Sequence, residues 1–146
     1  MMAEHYPRVE TLLASAVRTT AVANAAGAAV SCARARRICC LLDVTDAAGA
    51  AGDTLDVFID VLGPDGATWL NAGHFAQVAG DSAAVKHWLV LDSASVAATS
   101  FDVSADCAAG VTKPYLFGLQ LRARHTLVDA GAHGQSATFS VSAFLQ

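Results

Sequence analysis

The sequence predicts an all-β protein: a single β-sandwich of about seven to eight strands, of the kind that includes the jelly roll. Three observations lead there. Apolar residues recur with period two in several segments, as in Leu55, Val57, Ile59 and Val61. Clusters of turn-forming residues separate those segments at regular spacing. The acidic residues are eleven Asp and only two Glu, Glu4 and Glu10, beside just two Lys. Asp suits turns and caps, whereas long solvent-facing helices are rich in Glu and Lys.

The 146 residues fit one domain of ordinary size, long enough to need neither a metal nor a disulfide for its core. Residues 1–10 are polar, contain Pro7 and read as a flexible N-terminal arm; residues 11–146 read as the sandwich domain. From Val9 the pattern is strand-like but ragged, through Leu13, Val17 and Val22. Asn24 to Ala29 reads as a small-residue loop around Gly27.

Arg37 to Val44 is an almost unbroken apolar run, followed by the turn residues Thr45 to Gly49. Such a strand is either buried on both faces or carries an interface on its outer face. Thr54 to Leu62 alternates cleanly, with Asp56, Phe58 and Asp60 between the apolar positions. The turn Gly63-Pro64-Asp65-Gly66 then joins it to Thr68–Val78, which predicts a β-hairpin.

Val85 to Leu91 is the next strand, with His87, Leu89 and Leu91 on one face and Trp88 and Val90 on the other. Ser93 to Thr99 reads as a loop or one helical turn, Phe101 to Val103 as a short strand, and Asp106 to Pro114 as a loop. Tyr115 to Val128 reads as a long strand. After the turn at Asp129–Gly134, Ala137, Phe139, Val141, Ala143 and Leu145 alternate with polar residues to the last strand's end.

Composition and motifs exclude several functions. The net charge is −4, and Arg34, Arg36 and Arg37 form the only basic cluster, so nucleic acid is not the expected partner. The Ala-rich stretch Leu12–Val30 is interrupted by Arg18, Thr19, Thr20 and Asn24, and is expected to be neither a signal peptide nor a membrane span. Cys32, Cys39, Cys40 and Cys107 lack CxxC spacing and read as free thiols, compatible with folding in a reducing compartment.

The five His lack metal-binding spacing, and no nucleophile elbow, phosphate loop or calcium loop occurs. Asp56 and Asp60, four strand positions apart, sit about 13 Å from one another, too far for a paired acid and base. Neither catalysis nor a cofactor or metal is therefore expected. The aromatics Trp69, Phe75, Trp88, Phe58 and Tyr115 could line a sugar-binding face, but core packing accounts for most of them. Phe58 and Phe144 stand out because each falls on the polar side of its strand. An aromatic there marks an interface, a second packed sheet or a covered groove. With Arg34, Arg36 and Arg37 they are the candidate interface residues.

The order of segments is itself distinctive: LLASAVRTT, then LLDVTDAAG, then LDVFIDVLGPDGATWLNAGHFAQV, and finally TFSVSAFLQ. Over residues 11–146 this resembles small virion structural proteins of tailed bacteriophages and prophages. In those an LDVT strand precedes a hairpin with a DG turn and a Trp, and a strand like FTFSV closes the chain. The resemblance implies a structural role at the particle surface, first as a capsid decoration (cement) protein bound to the major capsid protein. A neck, tail or head-fibre component is the alternative. It implies several copies per particle, synthesis in the host bacterium's cytoplasm, and no catalytic residues. A carbohydrate-binding sandwich is the rival from another class.

Overall fold

The structure, a computed structural model, describes residues 7–19, 21–94, 105–113, 118–132 and 134–146. It is all-β, with ten strands: β1 (Arg8–Arg18), β2 (Val22–Ala26), β3 (Val30–Ser31), β4 (Arg37–Ala48), β5 (Thr54–Leu62), β6 (Trp69–His74), β7 (Val78–Ala79), β8 (Val85–Asp92), β9 (Gln120–Val128) and β10 (Ser136–Leu145). One sheet, sheet A, has the order β1-β10-β4-β8; the other, sheet B, has β2-β9-β5-β6, with β3 against β9 and β7 against β5. All these pairs are antiparallel.

Setting aside the two-residue strands β3 and β7, eight strands remain. In chain order they form one sheet of first, eighth, third and sixth and another of second, seventh, fourth and fifth. That interleaving is the eight-stranded jelly roll, two Greek keys rolled together. It closes because β1 pairs with β10 from Arg8 opposite Leu145 to Arg18 opposite Ala137.

The period-two segments behave as expected. Ile38, Cys40, Leu42 and Val44 of β4 and Ala137, Phe139, Val141, Ala143 and Leu145 of β10 point into the core. From the other sheet Leu55, Val57, Ile59, Val61, Leu121, Ala123 and Leu127 meet them. Each Leu, Val, Ile or Phe buried here contributes about 1.5–3 kcal/mol relative to exposure. The predicted hairpin is β5–β6, with Leu62 opposite Trp69 across the Pro64-Asp65 turn. Asp65 accepts from the backbone N–H groups of Ala67 (3.1 Å) and Thr68 (2.9 Å), which fixes the turn.

Several boundaries differ from the sequence reading. Arg8, Val9 and Glu10, assigned to the arm, open β1; residues 1–6 lie outside the described residues. β1 looked ragged because its register shifts between Thr11 and Leu13 and again between Leu13 and Ala16. These bulges turn both Leu12 and Leu13 inward. Asn24, Ala25 and Ala26, read as loop, belong to β2. Gly27 follows directly, and a Cβ there would lie 2.2 Å from the Leu12 carbonyl oxygen, so the two strands can meet only at a glycine. β9 begins at Gln120; residues 114–117, where the long strand was expected to start, lie outside the described residues. The short strand expected at Phe101–Val103 lies outside the described residues, as does most of Ser93–Thr99.

Two polar side chains pack on Phe139, one buried and one half-buried. His125 of β9 is 6 % exposed and meets Phe139 edge to face at a centroid distance of 5.3 Å. The Arg18 guanidinium lies over the same Phe139 ring at 4.2 Å and donates to the Phe139 carbonyl at 2.9 Å. Burial first, and the Arg18 charge second, hold the His125 imidazole below the ordinary histidine value. The unfolded chain therefore takes up a proton at this residue near pH 6.5 while the folded one does not. More protons bound in the unfolded state means stability falls as pH drops through and below that value. We expect the thermal midpoint to decline between about pH 7 and pH 5. A His125→Gln variant, scanned calorimetrically over the same range, should show a shallower decline.

Candidate functional site

The two sheets present opposite kinds of outer face. On sheet B the outward positions of β5 are Asp56, Phe58 and Asp60, read from sequence as the polar side of the strand. All three are buried. Their partners across the ladders explain it: Arg124 stands opposite Phe58, Arg122 opposite Asp60, and His74 opposite Phe58 from the other side.

Phe58 is consequently a filling, not an exposed contact. Its ring stacks on His74 at a centroid distance of 4.1 Å, and the Arg124 guanidinium covers it at 4.1 Å. Arg124 Nε donates to both Asp60 oxygens (3.1 and 2.9 Å), and Nη1 donates to Asn24 Oδ1 at 2.6 Å. Its remaining nitrogen, Nη2, bonds Asp106. His74 Nδ1 donates to the Cys107 carbonyl at 3.0 Å, since a carbonyl only accepts. Its Nε2 shares a proton with Asp56 Oδ1 at 2.9 Å. Both ring nitrogens are thus hydrogen-bonded within the fold.

The segment 105–113 seals this region. Backbone bonds run from His74 N to Val111 O (3.0 Å), from Gly110 N to His74 O (3.0 Å) and from Lys113 N to Ala72 O (2.7 Å). Cys107 N donates to Asn71 Oδ1 at 2.7 Å. What remains open is a polar cleft of about 320 Å³, where the Arg122 guanidinium lies over the Trp69 ring at 4.2 Å. Trp69 is thus half-buried with one face occupied by a cation.

Sheet A is different. β4 places Cys39 and Leu41 outward, half-buried. Register partners extend them across the whole sheet. Val9 of β1 faces Phe144 of β10, Phe144 faces Cys39, and Cys39 faces Val90 of β8. In the adjacent row Leu41 faces Trp88. Directly paired residues point to the same side of a sheet. An apolar band therefore crosses all four strands, spanning about 14 Å at the usual strand spacing. It is open to solvent: Val9 is 69 %, Trp88 66 % and Val90 43 % exposed. Contiguous exposed apolar surface of this sort marks an interaction site far more often than scattered single residues do.

Two ion pairs bracket the band. Arg37 donates to Asp92 through Nε (3.1 Å) and Nη2 (2.8 Å), and at the other end Lys86 pairs with Asp43. Arg34 and Arg36 are exposed beside the first of these, Arg34 with a positive φ of 73°. The candidates named from sequence therefore divide. Arg37 and Phe144 lie at one end of the band, Arg34 and Arg36 are exposed in the chain leading into β4, and Phe58 belongs to the closed opposite face. Cys39, Leu41 and Val90 were not named as interface residues, because only the strand register brings them together with Val9 and Trp88.

The four cysteines are free. Cys32, Cys40 and Cys107 are buried, and burial pushes the Cys32 thiol up to about 11 and the Cys40 thiol higher still. Cys39 alone is half-exposed, within the band.

No protein-family model, no curated protein and no solved structure matches the chain.

Proposed function

We propose that this chain is a virion structural protein of a tailed bacteriophage: a capsid decoration protein that binds the major capsid protein through the outer face of sheet A. The apolar band across that face carries the reading. A protein that works by docking needs an open apolar surface on a rigid support, and β4 and β10, the central strands of sheet A, supply the support. The jelly roll is an architecture used by viral capsid and lectin domains. The virion-like strand phrases run through β4, β5, β6 and β10, the elements that build the fold. Contacts made only on the assembled shell would stabilise that shell by mass action.

The test is co-sedimentation of the purified protein with particles of its parent phage that lack it, followed by imaging. Regular density over the shell is the expected outcome. Density at a single vertex would move the protein to the neck or tail. An absence of association would contradict the proposal.

A second reading has one observation in its favour. The exposed indole of Trp88 could stack on a sugar ring, as a carbohydrate-binding module would require. Binding to a glycan array that is lost in Trp88→Ala would support it over the first.

A further inference from the structure

We infer that the outer edge of β8 pairs with β8 of a second copy of this chain, joining two A sheets into one eight-stranded sheet around a two-fold axis. This rests on the edge itself and does not depend on the virion reading.

The two edges of sheet A are unlike. β1 carries two register shifts, the kind of irregularity that spoils an edge for further pairing. β8 has none: its eight residues run in unbroken register with β4, from Asp92 opposite Arg37 to Val85 opposite Val44. It contains no proline, and among the described residues no strand pairs with its other edge. Its outward side chains include the exposed Trp88 and Val90. A regular edge without bulge or proline is a template for another strand.

The sequence of β8, VKHWLVLD, says which strand. An antiparallel pairing centred on Leu89 places Trp88 opposite the partner's Val90 and Lys86 opposite the partner's Asp92. The same matches recur on the other side of the axis. An aromatic meets a β-branched side chain and a cation meets an anion, twice each, on one face. Moving the centre to Trp88 would set Lys86 against the partner's Val90. Moving it to Val90 would set Trp88 against the partner's Asp92. Only the Leu89 register matches all outward residues. It also links the ion pairs already present, so that Asp43, Lys86, the partner's Asp92 and the partner's Arg37 form one alternating row. The strand is short, so the dimer should be of modest, micromolar affinity.

Sedimentation equilibrium of the intact chain tests this. The wild type should convert from monomer to dimer with rising concentration. Lys86→Asp and Asp92→Lys each set like charges opposite one another twice, and each alone should weaken dimerisation by about tenfold or more. An equimolar mixture of the two variants places Asp at 86 against Lys at 92 and keeps the native pair on the other side. It should dimerise about as well as the wild type, which also shows that both variants are folded. A wild type that stays monomeric would overturn the inference. So would a dimer indifferent to either reversal, or a mixture that associates no better than its components.

Discussion

Arg124→Ala is expected to destabilise the domain by about 3–5 kcal/mol, the range for removing one partner of a buried ion pair. The Arg124 side chain is 10 % exposed and that of Asp60 only 4 %. Once the guanidinium is gone, Asp60 keeps Arg122 at 3.4 Å and the Asn71 amide at 3.2 Å, neither of which replaces the two-pronged contact. Asn24, Asp106 and the face of Phe58 lose their partner at the same time. Arg124→Lys should recover little of this, because an ammonium can neither fork between three acceptors nor lie flat on a ring. Urea unfolding measures both. A loss of under about 1 kcal/mol for Arg124→Ala would mean that the pair behaves as a solvated surface contact.

The second large effect is expected at the opposite side of the core. Phe139→Ala should cost about 3–5 kcal/mol, from lost transfer energy and the cavity left behind. Phe139 is fully buried in β10, between Arg18 and His125. Truncation therefore also strips the ring from a half-buried cation and a buried imidazole. Against a total stability of typically 5–15 kcal/mol, either substitution removes a large part of the margin. Denaturant midpoints of the two single variants provide the comparison.

Much of the fold was legible because period-two alternation survives wherever one face of a strand meets the core. Leu55 to Val61 and Ala137 to Leu145 announced themselves this way, and the Gly63–Gly66 turn marked the hairpin. β2 was hidden because Ala and Asn, four of its five residues, give almost no strand signal. β1 was blurred by its bulges, which break the period. The jelly-roll strand order depends on pairings such as Arg8 with Leu145, and no local pattern encodes a contact between the two ends of a chain.

The candidate site was legible in pieces. The apolar run in β4 left burial on both faces or an outer-face interface open, and Phe144 was conspicuous for being out of phase. Trp88 and Val90 were placed together on one side of β8. Joining them required the register that sets Phe144 and Val90 on either side of Cys39. Phe58 was conspicuous for the same reason as Phe144 but has a different explanation. The signal that could have separated them is Arg122 and Arg124, two apart on one strand, matching Asp60 and Phe58 on its neighbour.

Docking through the outer face of sheet A, as proposed above, is read directly at Cys39. This residue is the half-exposed thiol of the chain and lies in the middle of the band, on β4 opposite Val90 of β8. The measurement is the rate of Cys39 alkylation in the free protein and in the protein bound to phage shells, read by peptide mass spectrometry. We expect rapid modification when free and a fall of about tenfold or more when bound, as a docked face excludes water and reagent. Equal rates in the two states would show that the protein binds shells through some other surface, and would contradict the account.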